Sequence, residues 1–124
     1  MIAGLGTDII EVGRIKEKLL ADEGFRNSIF THVEIEYCES KKNKAENYAA
    51  RYAAKEAFFK ALGTGWRYGM AWREIEIIND ELGKPDIKVS GKVQEYIERS
   101  KIKNIHVSLS HIKDMVNAIV IIEK

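Results

Sequence analysis

The segment that most constrains this chain is Ala45 to Leu62. It contains no glycine or proline, is rich in alanine, and is followed at once by Gly63-Thr64-Gly65. Alanine is the strongest helix former, and glycine just past the last turn is a common helix C-cap. The segment therefore predicts one long helix. Ala50, Ala54, Phe58 and Ala61 form one stripe at helical spacing, and Tyr52, Glu56 and Lys60 form another, roughly opposite. So many small side chains on one helix predict close packing against a neighbouring element. The glycines follow the helix, whereas a P-loop places its glycines before one. Any phosphate chemistry here must come from the helix side chains.

The remaining chain supplies the partner for this helix. Ile2 to Ile10 reads as a strand with Ile2, Gly4, Gly6, Asp8 and Ile10 on one face. The two glycines beside Asp8 leave room for another backbone or a ligand to come close. Helices are predicted for Glu11 to Leu20, with Ile15, Leu19 and Leu20 as the apolar side, and for Glu23 to Phe30. Thr31-His32-Val33-Glu34 is a capping-box pattern, which starts a helix at Val33 that runs to about Ser40. A basic connector, Lys41 to Lys44, leads into the long helix. Trp72 to Ile78 alternates as a strand, turns through Asn79 to Pro85, and pairs back over Asp86 to Val89. Lys92 to Arg99 reads as an amphipathic helix. Asn104 to Ser110 and Met115 to Ile122 are two further strands, the last apolar on both faces apart from Asn117 and so expected to be central and buried. The order β-α-α-α-α-β-β-α-β-β predicts an α+β fold spanning residues 1–124 as one domain, with helices on a mostly antiparallel sheet.

Charge excludes some functions. Twenty Lys and Arg against nineteen Asp and Glu leave a net charge of +1, which argues against a general nucleic-acid binder. No apolar run reaches the length of a membrane helix. The single cysteine, Cys38, allows no intrachain disulfide, and a reducing cytoplasm is the simplest compartment. The N-terminal apolar run breaks at Asp8, and no signal peptide is visible.

Three constellations could carry chemistry. Asp8 suits either a helix cap or a hard oxygen ligand. Glu56 suits either an i,i+4 ion pair with Lys60 or the second ligand of a Mg²⁺ site, since Mg²⁺ needs only one or two carboxylates. Arg51, Lys55 and Lys60 surround Glu56 in sequence, as a solvated basic face or as phosphate ligands. Asn104 to His111 places His106, Ser108 and Ser110 on one strand face. His111 falls at the strand end, where it can turn toward a cleft. The Gly-x-Ser-x-Gly elbow of acyl-enzyme hydrolases is absent.

Gly4-Leu5-Gly6-Thr7-Asp8-Ile9-Ile10-Glu11-Val12-Gly13-Arg14-Ile15 resembles the opening motif of the holo-[acyl-carrier-protein] synthases, the small trimeric branch of the 4′-phosphopantetheinyl transferases. Arg51 to Gly65, with Lys55-Glu56-Ala57 and Lys60-Ala61, is similar to that family's second signature. His106-Val107-Ser108-Leu109-Ser110-His111 resembles the third, and the hairpin from Ile75 to Pro85 fits as well. The resemblance covers nearly the whole chain, with the motifs in order.

The resemblance implies transfer of the 4′-phosphopantetheine arm of coenzyme A to a serine of apo-acyl carrier protein, giving 3′,5′-ADP, in support of fatty acid biosynthesis. It implies Asp8 and Glu56 as Mg²⁺ ligands, Lys60 near the diphosphate, and Arg51 and Lys55 in the nucleotide site. It places Gly63, Thr64 and Gly65 in the turn lining the coenzyme A cleft, with His106, Ser108 and His111 on the strand beside the cofactor. Arg14 corresponds to a helix position that meets the carrier, and Lys18 and Arg26 extend that basic surface toward an acidic partner. The base that takes the serine proton is left among Glu56, a metal-bound water and a histidine. Ile10 stands where the larger, monomeric branch has a second acid, and Ile112 where some small-branch members have Asp. The family also implies a homotrimer with sites between protomers.

Overall fold

The computed structural model describes residues 1–65 and 67–124. Its order is β1 (Ile2–Glu11), α1 (Val12–Ala21), α2 (Glu23–Ile29), α3 (His32–Glu39), α4 (Lys44–Leu62), a short 3₁₀ turn (Trp72–Glu74), β2 (Ile75–Asn79), β3 (Pro85–Val89), α5 (Gly91–Arg99), β4 (Asn104–His111) and β5 (Met115–Glu123). The order of helices and strands matches the expectation. The strand expected from Trp72 begins only at Ile75, because Glu74 turns back to accept from the Ala71 N–H and closes the 3₁₀ turn.

The strands make two antiparallel sheets, one of order β1-β5-β4 and one pairing β2 with β3. In the larger sheet Gly4, Gly6 and Asp8 stand opposite Ile122, Val120 and Ala118. Helix α4 lies against this inner face. A Cβ built on Gly6 would stand 1.9 Å from the Ala57 carbonyl oxygen, and one on Gly4 would stand 2.0 Å from that of Ala61. The glycines thus admit the helix backbone itself. The alanines are the other half of that contact: Ala53, Ala54 and Ala57 are all fully buried.

The core is closed by Phe30, Tyr48, Phe58, Ile75, Ile77, Val93, Val116 and Val120. Strand β5 is central, as expected, but buried on one face only. Val116, Ala118, Val120 and Ile122 point inward, while Ile119 is 40% exposed beside Leu5 (61%) and Ile9 (64%). Leu5, Ile9 and Ile119 leave this outer face largely open among the described residues, while α4 packs on the opposite face. On α1 the buried residues are Val12, Ile15 and Leu19, and the expected core residue Leu20 faces outward. Its position is one step past the stripe set by Val12, Ile15 and Leu19.

Among the described residues, no helix is long and apolar enough to cross a membrane.

Candidate active site

Helix α4 is buried almost all round. Of residues 48–61 only Tyr52, Glu56 and Lys60 escape full burial. These three are spaced by four, so they form a single accessible line along the helix. That line runs beside the C-terminal half of β1. Lys60 Nζ donates to Asp8 Oδ1 at 3.1 Å and to the Thr7 carbonyl at 3.0 Å. Lys60 therefore pairs with Asp8 on the strand rather than with Glu56 one turn back. The Tyr52 hydroxyl registers the same gathering of acids. Burial first, then the Glu56 charge and a hydrogen bond to Glu56, then the Asp8 charge push its pKa up to about 12, with Arg14 opposing them.

Asp8 on β1 thus holds the half-exposed Lys60 ammonium, and Glu56 lies one helical turn before Lys60 on the same accessible line. Among the described residues, no group of three or more His, Cys, Asp or Glu gathers. The donor set is a pair of hard oxygens, which fits Mg²⁺ filled out by water and phosphate and does not fit a zinc site. The cationic Lys60 already sits against Asp8, so this carboxylate accepts a positive charge beside it.

At the Lys60 end, α4 stops as predicted. Gly63 takes a left-handed φ of 77° and its N–H returns to Lys60 and Phe59. Thr64 is buried with its hydroxyl donating to the Gly65 carbonyl at 2.9 Å. The turn Gly63-Thr64-Gly65 therefore follows directly on the Lys60 end of α4.

Two expected phosphate ligands lie elsewhere. Lys55 is fully buried, and its ammonium donates to Glu34 Oε1 (2.7 Å), the Ile29 carbonyl (2.7 Å) and the Trp72 carbonyl (3.2 Å). A lysine has three donors, so none remains for a phosphate. Arg51 is 3% exposed. It donates to Asn79 Oδ1 at 2.6 Å, and its guanidinium lies 4.2 Å from the Tyr37 ring centroid. It sits about 140° around the helix from Glu56, which turns it toward α3 and the β2–β3 hairpin. Neither contacts Asp8 or Glu56 of its own chain.

The third motif is also displaced. His106, Ser108 and Ser110 line the exposed outer face of β4, two strands from β1, while Asp8 and α4 occupy the inner face. His106 pairs with Glu123, which holds that carboxyl below its usual range. His106 also borders a cavity of about 470 Å³ with Asp80, Lys84, Pro85, Asp86, Ile105 and Val107, close in sequence to the Asn79 that holds Arg51. His111 is exposed at the end of β4, opposite Val116. The expected site residues thus fall into separated groups within one chain, with Asp8, Glu56 and Lys60 apart from Arg51, Lys55, His106 and Ser108.

The basic surface is partly as expected. Arg14 is exposed on α1, and the Lys18 ammonium lies 5.5 Å from the Phe25 ring and 5.6 Å from the Tyr52 ring. Arg26 is drawn inward over Tyr48 and toward Glu39, so it presents less free charge than its sequence position suggests. Two residues carry roles that the sequence does not disclose. Glu34 receives Lys55, and Trp72 stacks on Tyr52 at 5.5 Å and 12° at one end of the Tyr52–Glu56–Lys60 line. The only sequence signal for Tyr52 was its place four residues before Glu56.

The model of the 4′-phosphopantetheinyl transferase superfamily matches residues 4–120. A holo-[acyl-carrier-protein] synthase of Geobacter sp. (strain M21) is 43% identical over the whole of both chains. Among solved structures, the holo-[acyl-carrier-protein] synthase of Neisseria meningitidis superposes with a TM-score of 0.92 at 36% identity, covering 100% of each chain. That of Bacillus anthracis, solved in complex with coenzyme A (3′,5′-ADP), gives 0.82 at 35% identity, covering 98% of this chain and 96% of the other. The chain belongs to the 4′-phosphopantetheinyl transferase superfamily, as an enzyme of its holo-[acyl-carrier-protein] synthase family.

Proposed function

We propose that this chain moves the 4′-phosphopantetheine arm of coenzyme A onto a serine of apo-acyl carrier protein, with Mg²⁺, in the cytoplasm and in support of fatty acid biosynthesis. The observation that carries this reading is the Lys60–Asp8 pair beside Glu56, at the glycine-capped end of one helix. Phosphoryl-type transfer needs positioning and charge stabilisation more than covalent help. Asp8 and Glu56 are the residues to hold Mg²⁺, which when bound polarises the diphosphate and stabilises the departing 3′,5′-ADP. Lys60, with about half its side chain exposed, can exchange Asp8 for a phosphate oxygen as the substrate enters. The Trp72 ring, stacked on Tyr52, supports the Tyr52–Glu56–Lys60 line at one end. Arg14 and Lys18 offer an acidic carrier protein a positive approach next to that line.

The reading extends to assembly. The open face bearing Leu5, Ile9 and Ile119 also holds Asn117, whose Oδ1 is buried without a hydrogen-bond partner among the described residues. An apolar sheet face of this kind favours self-association. A homotrimer would set residues such as His106 of one protomer against the Asp8–Glu56–Lys60 group of the next, which accounts for their separation within a chain.

The test is to mix the protein with Mg²⁺, coenzyme A and an apo-acyl carrier protein and to weigh the carrier. Gain of one phosphopantetheine mass is expected, and no gain would sink the proposal. Asp8→Ala and Glu56→Ala should each lower turnover by at least about 100-fold while leaving the fold intact, on the scale of losing a main electrostatic contact to the transition state. Full activity in either would remove the ligand assignment.

A further inference from the structure

We infer that the buried Lys55–Glu34 pair is a positioning device for Glu56, setting the direction in which its carboxylate leaves the helix. The inference rests on the reading of Glu56 as a cation ligand. Successive helix residues emerge about 100° apart. Glu56 is therefore flanked on one side by the direction of Lys55 and on the other by that of Ala57. Both directions are fixed. Ala57 presents its carbonyl to Gly6, where there is no room even for a methyl group. Lys55 is held by three acceptors on three other segments: the end of α2, the start of α3 and the 3₁₀ turn.

The partner is equally committed. Glu34 Oε1 accepts from Lys55 and from the Thr31 N–H at 2.9 Å, and Glu34 Oε2 accepts from the Ile77 N–H at 2.9 Å. Thr31 in turn donates to Glu76 Oε2 at 2.6 Å. The capping box that begins α3 is thus also the socket for a lysine from α4, and it ties β2 into the same joint. A buried ion pair does not by itself favour stability over an apolar pair, but a fully satisfied one fixes geometry. Helix α4 can neither roll nor slide without opening this joint. Lys55 also grips the Trp72 carbonyl, and the Trp72 ring stacks on Tyr52, the residue one turn before Glu56. The pair therefore controls both the helix that carries Glu56 and the aromatic wall beside it.

The test uses the full-length protein and Mn²⁺ alone as the probe, followed by electron paramagnetic resonance, with urea unfolding in parallel. Lys55→Met alone leaves a buried carboxylate unpaired and is prone to unfold. The main variant is therefore Lys55→Met with Glu34→Gln. Glu34→Gln alone, which keeps an acceptor for Lys55 and for Thr31 but leaves the buried ammonium without a counter-charge, is the second variant and is read where urea unfolding shows it folded. A folded double variant should bind Mn²⁺ about 10-fold more weakly, the lower end of what is lost when groups supporting a metal ligand are removed. Its KM for coenzyme A should stay within about twofold, and Glu34→Gln should fall between it and the wild type. Wild-type Mn²⁺ affinity in either folded variant overturns the inference. A raised KM for coenzyme A with Mn²⁺ affinity unchanged overturns it in favour of direct phosphate contact by Lys55. Glu56→Ala separates the two levels. If it binds Mn²⁺ like the wild type, the ligand reading has failed and the positioning inference fails with it.

Discussion

Replacing Gly6 with alanine tests whether the contact between β1 and α4 sets the site. The added Cβ would stand 1.9 Å from the Ala57 carbonyl oxygen and 2.6 Å from the Ala61 nitrogen, where real contacts of this kind stay above 3.0 Å. Both obstacles are helix backbone, so no side chain can swing aside. Helix α4 must retreat by about 1 Å, or β1 must buckle. Overpacking of this sort costs about 1–3 kcal/mol. The same retreat would stretch the 3.1 Å contact from Lys60 to Asp8 and widen the gap between Glu56 and the strand. A misplacement of about 1 Å in a catalytic constellation can cost about 100-fold in rate. Gly13→Ala is the internal control. It lies in α1, meets nothing within 4 Å, and should gain about 0.5 kcal/mol from helix propensity. Urea unfolding and the carrier-mass assay on both variants would decide. Gly6→Ala as stable and as active as Gly13→Ala would refute the claim that bare backbone contact holds Asp8 against α4.

Ile9→Asp combined with Ile119→Asp places charge on the open sheet face and should yield a smaller species by sedimentation with little transferase activity; an unchanged sedimentation coefficient removes that face as the assembly surface. Lys60→Met should leave the unfolding midpoint almost unchanged, because the side chain is half exposed, yet lower turnover by at least about 10-fold. Unaltered turnover would make Lys60 a bystander. Burial pushes the Cys38 thiol up to about 12 from an ordinary 9.0. Between those values the unfolded chain has lost a proton that the folded chain keeps, so this group's contribution to stability falls as pH rises from about 9, by at most about 1.4 kcal/mol per pH unit. Wild type should lose more stability than Cys38→Ala between pH 8 and pH 10, and equal losses would contradict it.

Periodicity and caps made most of the fold legible. Thr31-His32-Val33-Glu34 announced α3, Gly63 announced the end of α4, and the alternation in β1 put Gly4, Gly6 and Asp8 on the face that the structure turns toward the helix. These signals are local, and each needs only neighbours in sequence. That β5 is buried on one face only was not legible, because an apolar strand face reads the same in sequence whether or not anything covers it. Glu34 was hidden for another reason. Its capping-box role accounted for it fully, and nothing local discloses that the same carboxylate also receives a lysine from 21 residues further on.

The two lysines that frame Glu56 show where sequence reasoning divides. Lys55 and Lys60 carry the same charge on the same helix and fit the same phosphate-binding expectation. Five helical residues turn them about 140° apart, enough to send one into the core and leave the other at the rim. In the core, Lys55 meets one carboxylate and two carbonyls, and burial lowers its pKa against the opposing pull of Glu34. At the rim, Lys60 keeps about half its side chain in solvent and a replaceable contact to Asp8. A phosphate ligand must be able to release its partner when substrate arrives, and only Lys60 can do so without leaving a buried charge behind. Residue type nominates both lysines. The cost of unmaking each one's existing bonds separates the group that can bind from the group that holds the binder in place.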